Sequence, residues 1–178
     1  RRDLPREPEA TPFELLDAAP GLSCSEQPTG GIVYLKFCFD TRTLEPELMP
    51  WLPLFAAATL QTGTETRDFA KLETDINCHT GGVDGGFAAI GHYRRPACVT
   101  PMLRYNASLM PNRLTHVFDL LTDIFCGARL RHVARLREIA GDALADLERD
   151  LVESAHHYVK HRLSAGQSRA GALVEATA

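Results

Sequence analysis

The sequence predicts an α+β domain in which helices pack on one face of a mainly antiparallel sheet. One observation behind this prediction is the order of strand-like and helix-like segments, which runs β, α, α, β, β, α, α. A second is that only a short loop separates the two strand-like segments in the middle, which favours an antiparallel pair. The third is composition, because 178 residues with 44% hydrophobic and 24% charged content suffice for one ordinary globular domain.

The chain begins with a segment that carries few signals of regular structure. Residues 1–12 hold three prolines and six charged side chains, a composition typical of a linker. We therefore expect residues 1–20 to form a linker or an extended arm, and residues 21–178 to form a single α/β domain. A short strand is expected near residues 21–26. Because the chain starts without a methionine, we also expect it to be a piece of a longer polypeptide.

The clearest strand is GIVYLKFCFD, residues 31–40. It is rich in β-branched and aromatic residues, and its nearly continuous apolar character predicts burial on both faces. After a turn, the first helix is expected from Leu48 to Gln61. Pro50 and Pro53 are compatible with this helix because the amide groups of a first turn have no intrahelical partners.

A second helix is predicted from Arg67 to Cys78. Gly63 ends the helix before it, and Thr66 supplies the N-cap. The strand pair follows at about 82–92 and 98–109, joined by a short loop. The apolar residues of the second helix recur at the spacing of one helical face: Phe69, Leu72 and Ile76.

Further helices complete the predicted fold. Asn112 caps the first of them, which runs from Arg113 to Cys126. After Gly127 a long helix is expected from about Leu130 to Leu163, and a short one begins near Ser168. The residues expected to face inward are Leu114, Val117, Phe118, Leu121, Ile124 and Phe125 in the first helix, and Leu136, Ile139, Ala140, Ala143, Leu147 and Leu151 in the long one.

Charge and hydropathy argue against several classes of partner. The net charge of −4 gives no electrostatic reason to expect a nucleic acid or an anionic membrane. No apolar run approaches the roughly 20 residues needed to cross a bilayer. The charged, proline-rich start has no apolar segment typical of a secretory signal. We therefore expect neither nucleic acid nor membrane among the partners.

The cysteines favour a reducing compartment. There are five, an odd number, and no two of them form a CxxC pair. Cys38 and Cys126 lie inside apolar runs, where a free thiol behaves as a small hydrophobic group. We expect a soluble reducing compartment, either the bacterial cytoplasm or an organelle of mitochondrial or plastid type. The five are Cys24, Cys38, Cys78, Cys98 and Cys126.

The pattern HHYVKH brings together His156, His157 and His161. His157 and His161 are four residues apart, so on a helix both imidazoles lie on one face and could reach a single metal ion. The glutamate of a metallopeptidase helix is missing, however, and Lys160 would repel a cation. We therefore interpret these residues as ordinary surface and interface histidines, with an independent histidine-cluster metalloprotein as an alternative.

Two further motifs resemble functional sites but are better explained without one. The glycines of GGVDGG, residues 81–86, follow a predicted helix and lead into a strand, whereas a phosphate-binding loop follows a strand and opens a helix. They indicate tight turning and bulging instead. Asn106, Ala107 and Ser108 match a glycosylation acceptor, but they lie inside a predicted strand of a chain without secretory features.

Three blocks of sequence, in their order and spacing, resemble the presequence-peptidase branch of the pitrilysin-type metallopeptidases. They are TGGIVYLKFCFDTRTLEPELMPWLPLFAAATLQTGT, RDFAKLETDINCHTGGVDG and ESAHHYVKHRLSAGQSRAGALVEATA, and they span roughly residues 29–178. The middle block, a helix followed by Asn-x-His-Thr-Gly-Gly, is the most specific. The resemblance is to the third of the family's four homologous domains. It implies a pitrilysin-type α/β sandwich, like that of the mitochondrial processing peptidase.

The resemblance also implies that this domain has no catalytic chemistry of its own. In the family, an inverted His-x-x-Glu-His helix in the N-terminal half holds the zinc ion. Laying Pro50 to Phe55 on that helix puts Trp51 and Phe55 at the metal-ligand positions and Leu54 at the general-base position. Because indole, phenyl and isobutyl groups supply neither zinc ligand nor base, the resemblance implies no catalytic residue, metal ligand or cofactor in this segment. It further implies that these residues were rewritten for packing.

We therefore expect a non-catalytic, chamber-forming domain of a zinc metalloendopeptidase that degrades peptides, inactive when alone. Its partners would be the N-terminal catalytic half, which binds the zinc, and the remaining C-terminal domain of the same polypeptide, together with the peptide substrates of the parent. The residues that would contact substrate are not identified by the resemblance. The alternative is a stand-alone peptide- or protein-binding module, in which an exposed edge of the 82–109 strand pair accepts an extended peptide.

Overall fold

The computed structural model of the chain describes residues 14–15, 21–92 and 94–177. The backbone divides into two compact units, residues 1–31 and residues 32–178. The second unit holds the six α-helices of the described residues and a three-stranded antiparallel sheet. The predicted α+β fold with a mainly antiparallel sheet is therefore confirmed.

The first unit contains one small antiparallel pair. Strand β1 (Glu14–Leu15) pairs with strand β2 (Ser23–Cys24). The short strand predicted near residues 21–26 is therefore confirmed. Apart from β1, the linker predicted for residues 1–20 lies outside the described residues.

The second unit follows the predicted order of strands and helices, with two short 3-10 helices and a divided long helix in addition. In chain order its elements are strand β3 (Val33–Asp40), a 3-10 helix (Pro46–Trp51), helices α1 (Leu52–Gln61) and α2 (Phe69–His79), strands β4 (Val83–His92) and β5 (Arg95–Leu109), a second 3-10 helix (Pro111–Arg113), and helices α3 (Leu114–Gly127), α4 (Val133–Glu153), α5 (Ala155–Gln167) and α6 (Arg169–Glu175).

β5 is the central strand of the sheet, with β3 on one side and β4 on the other. Both pairings are antiparallel, so the pairing predicted for the two middle strands is confirmed. The outer strands are β3 and β4. The outer edge of the 82–109 pair, which the alternative hypothesis invokes, is therefore that of β4, because β5 is paired on both sides.

The core forms where helices cover one face of the sheet. Alternate residues of β5 are buried because successive side chains of a strand point to opposite faces. Burying each large aliphatic side chain contributes about 1.5–3 kcal/mol, and α3 supplies most of those that meet the sheet. The buried residues are Leu103, Tyr105, Ala107 and Leu109 on β5, and Val117, Leu120, Leu121 and Ile124 on α3.

The prediction that β3 is buried on both faces is wrong. Its core-facing residues Val33, Leu35 and Phe37 pack against the helices, but Tyr34, on the opposite face, is 60% exposed. The prediction failed because Tyr34 and Cys38, which add to the apolar character of the run, occupy the uncovered face together with Lys36. Cys38 lies on that face as well, and it is exposed, as is Cys126 on α3.

Two predicted helix caps are also wrong. α2 is capped by Asp68 rather than Thr66, since the Asp68 carboxylate accepts a hydrogen bond from the Lys71 amide at 2.8 Å. A carboxylate at this position also interacts favourably with the positive end of the helix. Asn112 does not cap α3, because it lies within the 3-10 turn before it, and α3 begins without a side-chain cap.

The long helix predicted from residue 130 to residue 163 is divided at Ser154. There the backbone leaves the helical region (φ −123°, ψ 28°), and α4 ends where α5 begins. Of the inward-facing residues expected on α4, Ile139 is buried, whereas Leu147 and Leu151 are exposed. No helix within the described residues has the length and apolar character that crossing a bilayer requires.

A partly buried ionic cluster joins the loop before α2 to α3. The Asp123 carboxylate on α3 accepts hydrogen bonds from the hydroxyls of Thr64 at 2.6 Å and Thr66 at 2.7 Å, and it forms an ion pair with Arg67. Arg67 also pairs with Asp75 on α2 at 3.0 Å. Burial raises the pKa of Asp123, but the two hydroxyls and the guanidinium outweigh it and hold the pKa below its ordinary value.

Candidate functional site

The predicted degenerate positions lie where a 3-10 helix becomes α1. Trp51 is the last residue of the 3-10 helix, and Phe55 lies one turn into α1, on the same side. Trp51 is 62% exposed and Phe55 is 41% exposed, whereas Leu54 is half-buried. The prediction that this segment was rewritten for packing is therefore wrong for Trp51 and Phe55. The buried residues of α1 are instead Leu52, Ala56, Ala58 and Thr59.

Trp51 and Phe55 form one wall of an open apolar groove of about 550 Å³. The opposite wall is built from the end of β3 and the segment that follows it. Leu54 does not line the groove. The remaining lining residues are Phe39, Asp40, Thr41, Thr43, Leu44, Leu48, Leu52, Thr59, Leu103, Tyr105 and Phe125. This volume lies within the range of about 300–1,000 Å³ typical of ligand pockets.

Three aromatic rings form a fixed base for the groove. The ring centroid of Phe125 lies 5.0 Å from that of Tyr105 and 5.3 Å from that of Phe39. Phe39 and Tyr105 meet edge to face at 6.1 Å. Each pair of this kind stabilises by about 0.5–1.5 kcal/mol beyond its burial. The groove is therefore preformed rather than assembled by a ligand.

The polar atoms at the base satisfy one another. The hydroxyls of Tyr105 and Thr59 lie 2.8 Å apart, and Thr59 also donates to the Ala56 carbonyl at 2.7 Å. Burial raises the pKa of Tyr105, and the hydrogen bond with Thr59 opposes the increase only in part. Tyr105 therefore stays neutral at physiological pH, and the base offers no charge to a ligand.

Gly85 on β4 leaves space for the Tyr105 ring and for Ala56 of α1. A Cβ atom at Gly85 would lie 2.6 Å from the Tyr105 ring and 3.3 Å from Ala56. The glycine cluster of residues 81–86 follows α2 and enters β4, as predicted, but the register irregularity of β4 lies at Gly91 and His92, so the bulge predicted for the cluster is wrong. Gly82 has φ +131°, a backbone conformation that favours glycine.

The groove lining carries one acidic side chain, and two further glutamates are sequence neighbours of lining residues. Asp40 is the one charged residue among the described residues that line the groove, and Arg42 neutralises it through a hydrogen bond of 2.8 Å. Arg42 thereby lowers the pKa of Asp40. Glu45 and Glu47 flank the lining residues Leu44 and Leu48, and both are exposed without an ion pair among the described residues.

Thr41 is an unusual member of the lining. It is 3% exposed, and its hydroxyl is buried without a hydrogen-bond partner among the described residues. Its amide donates to the Pro101 carbonyl at 3.1 Å, which fixes the backbone of the lining at this point. A buried hydroxyl left unpaired costs about 1–3 kcal/mol. The groove wall therefore contains one unsatisfied polar atom.

The residues at the degenerate positions do not fit a zinc ion. Trp51, Leu54 and Phe55 carry no atom that can ligate zinc, and the carboxylate nearest to them in the groove, Asp40, is held by Arg42. Across the residues that the structure describes, no three His, Cys, Asp or Glu side chains are grouped closely enough to hold a metal ion.

The histidines of HHYVKH lie on α5. His157 and His161 face a small cavity with Asp150, Ser154 and Tyr158. The ring of His156 packs edge to face on that of His157, with centroids 4.2 Å apart. The interpretation as surface histidines matches this placement, since His156 and His157 are exposed.

Sequence reasoning located the helix of the groove but missed its other wall. Phe39, Tyr105 and Phe125 come from three separate elements, and no local motif joins them. The alternation of side chains along β3 and β5 was the one local pattern that could have indicated this wall. It places Phe37 and Phe39, and likewise Leu103 and Tyr105, on the face that meets the helices.

Comparison with known proteins gives several relatives that are much longer than this chain. Presequence protease 1, chloroplastic/mitochondrial, of Arabidopsis thaliana is 26% identical over 175 residues, which cover 97% of this chain and 16% of the relative. The mitochondrial presequence protease of Saccharomyces cerevisiae is 25% identical over 152 residues, covering 84% of this chain and 15% of the relative. Protein HypA of Clostridium perfringens is 24% identical over 147 residues, covering 83% of this chain and 15% of the relative.

The chain thus spans 15–16% of the length of these curated relatives. Its resemblance to the presequence-peptidase branch is confirmed by these similarities. The sequence profile of the family described as Peptidase M-16C associated matches residues 1–178, the whole chain. The chain therefore belongs to the Peptidase M-16C associated family and is a peptidase-associated domain.

Proposed function

We propose that the chain is a non-catalytic domain of a zinc metalloendopeptidase of the presequence-protease type, and that it forms part of the wall of a chamber that encloses peptides. The relatives with this name are much longer polypeptides, of which the chain matches 15–16%. In this proposal the zinc ion and the catalytic residues belong to the N-terminal half of the parent. The remaining C-terminal domain is the other partner in the same polypeptide.

The apolar groove beside α1 is the observation that carries the proposal. At the positions where the catalytic copy has its ligands and base, this chain has Trp51, Leu54 and Phe55. The first and last of these face open space instead of a metal. Such a site can contact a peptide, but it has no group that activates water or takes up a proton. A binding wall without chemistry is the function that this geometry supports.

The first experiment tests the absence of chemistry. Residues 1–178 are incubated with an unstructured fluorogenic peptide, with and without added zinc, and cleavage is followed over time. We expect no zinc-dependent turnover above that of heat-denatured protein. Zinc-dependent turnover that is lost with a chelator, in a preparation free of other proteases, would contradict the proposal.

The second experiment tests the parentage. The native reading frame that encodes the chain is sequenced to both ends. We expect a His-x-x-Glu-His motif upstream in the same frame. A start codon immediately before Arg1 would instead favour the stand-alone module, in which the outer edge of β4 accepts an extended peptide.

A further inference from the structure

We propose that helix α4 pairs with α4 of a second copy of this chain, in antiparallel orientation and centred near Gly141. The inference goes beyond the proposed function, because it concerns α4 and uses no residue of the groove beside α1. Three features of α4 support it: its exposure, the spacing of its apolar residues and the position of two opposite charges.

The C-terminal half of α4 is uncovered. Every residue from 141 to 153 is exposed, although α4 packs against α1 and buries Ile139. An isolated helix of this length is only marginally stable in water, and most helices in proteins are stabilised by burial of one apolar face. Among the described residues, none buries the apolar face of this half, and a second helix would bury it.

The exposed apolar residues of α4 lie in one stripe along the helix. Its positions follow each other at alternating intervals of four and three residues, which is the spacing of the seam between two paired helices. Its four large aliphatic members are 41–64% exposed. The stripe consists of Val133, Arg137, Ala140, Leu144, Leu147 and Leu151.

Gly141 lies beside the middle of this stripe. A Cβ atom at this position would enter open space, so packing within the chain does not require a glycine here. Glycine also lowers the stability of a helix interior relative to alanine. Close approach of a second helix gives the glycine a role, because the distance between two helix axes depends on the size of the residues at the contact. In the proposed pair, Gly141 of one copy faces Gly141 of the other.

Two charged residues beside the stripe determine the direction of pairing. Arg137 and Glu148 are both exposed, and neither forms an ion pair within the described residues. They are separated by about three helical turns, so they lie on one side of the helix. An antiparallel pair centred near Gly141 places Arg137 of each copy beside Glu148 of the other, twice by symmetry. A parallel pair would instead bring the Arg137 side chains of both copies together at the seam.

The same register matches the apolar residues of the stripe. Large side chains of one copy meet smaller side chains or an aliphatic stem of the other, so no carboxylate is buried at the seam. The pairs are Leu144 with Ala140, Leu147 with the stem of Arg137, and Leu151 with Val133, each formed twice.

Sedimentation velocity of residues 1–178, over about a hundred-fold range of concentration, tests the pairing. We expect a reversible increase from the mass of one chain toward that of two. Leu144→Gln acts at two places near the centre of the pair and should raise the Kd of the dimer at least about ten-fold. Val152→Gln, at an 83% exposed position outside the stripe, is the matched control and should leave the Kd unchanged. Far-UV circular dichroism checks that both variants keep the fold.

Charge reversal tests the antiparallel register. Arg137→Glu and Glu148→Arg each bring like charges together, and each should raise the Kd about five-fold at low salt and less at high salt. The double variant exchanges the two charges and should return the Kd to within about two-fold of the wild-type value. Asp142→Arg, on the opposite side of α4, is the control for the change in net charge.

Each outcome supports or overturns the proposal. A chain that stays monomeric over this range, or a dimer that Leu144→Gln leaves intact, would overturn it. Single charge variants without effect, or a double variant that fails to restore the Kd, would overturn the antiparallel register and with it the proposal. Since α4 contributes no residue to the groove, none of these results changes the test of the proposed function.

Discussion

Replacing Asp123 by Asn tests the ionic cluster that joins α3 to the loop before α2. The Asp123 side chain is 16% exposed, and one of its carboxylate oxygens receives two hydroxyl hydrogen bonds and the Arg67 ion pair. Asparagine keeps the shape and one carbonyl oxygen, but it loses the charge. The variant therefore isolates the electrostatic part of the cluster with little change in packing.

The expected loss follows from the partners. A hydrogen bond to a charged group stabilises by about 1.5–3 kcal/mol, and a neutral oxygen retains roughly half of that. The ion pair adds about 1 kcal/mol or less, because Arg67 is 27% exposed and solvent screens it. We expect the free energy of unfolding to fall by about 2 kcal/mol, or a Tm lower by about 4–8 °C for a domain of this size.

The lowered pKa of Asp123 determines how the stability difference between wild type and variant changes with pH. The folded-state pKa of Asp123 lies below its ordinary value, so its contribution is fully present above the unfolded pKa of about 3.9. The contribution is lost as the pH falls through the folded-state pKa. Urea unfolding followed by far-UV circular dichroism should therefore show the full difference at pH 7 and a narrowing difference below about pH 4.

Asp142→Asn, an exposed aspartate on α4, is the matched control and should change stability by less than about 0.5 kcal/mol. The reasoning is refuted if Asp123→Asn matches this control at pH 7. It is also refuted if the difference between wild type and Asp123→Asn stays constant from pH 7 to the acid limit of folding, since a charge effect must disappear on protonation.

Two other predictions concern the base of the groove. Thr59→Val leaves the buried hydroxyl of Tyr105 without a partner and should lower the free energy of unfolding by about 1–3 kcal/mol, whereas Thr41→Val removes an unpaired hydroxyl and should be neutral or stabilising. Urea unfolding of the two variants checks this, and equal losses would contradict the hydrogen-bond assignment. Gly85→Ala forces a Cβ against the Tyr105 ring and should cost about 1–3 kcal/mol. Gly86→Ala enters open space and should cost nothing, so equal Tm values for these two variants would show that the ring does not hold this position.

Much of the fold could be predicted from local sequence patterns. The alternating and β-branched segments predicted all three strands of the main sheet. The pairing of β4 with β5 follows from the short loop between them, whereas the pairing of β3 with β5 spans two helices and is not visible in any local pattern. The ends of helices were less predictable, because several residues near the N-terminus of a helix can each act as its cap. Asp68 and Thr66 are both residue types that cap helices. Asp68 caps α2, whereas the Thr66 hydroxyl donates to Asp123, a contact that only the tertiary structure reveals.

The candidate site, too, could be predicted only in part from the sequence. The resemblance drew attention to Trp51, Leu54 and Phe55, but residue type suggested burial for all three. Whether a large apolar side chain lies in the core depends on what covers it, which periodicity along one helix does not reveal. Small residues of α1 fill the space against the sheet, and the two aromatic rings are left at the mouth of the groove.

By itself, the sequence determined the class of fold, the order of the elements and the family, because these follow from local periodicity and from motifs read along the chain. It also determined that the helix at residues 50–55 lacks the groups that bind zinc. Only the tertiary structure decided that this helix faces an open apolar groove. The groove depends on Phe39, Tyr105 and Phe125, which are distant in sequence and meet only when the sheet and α3 pack together.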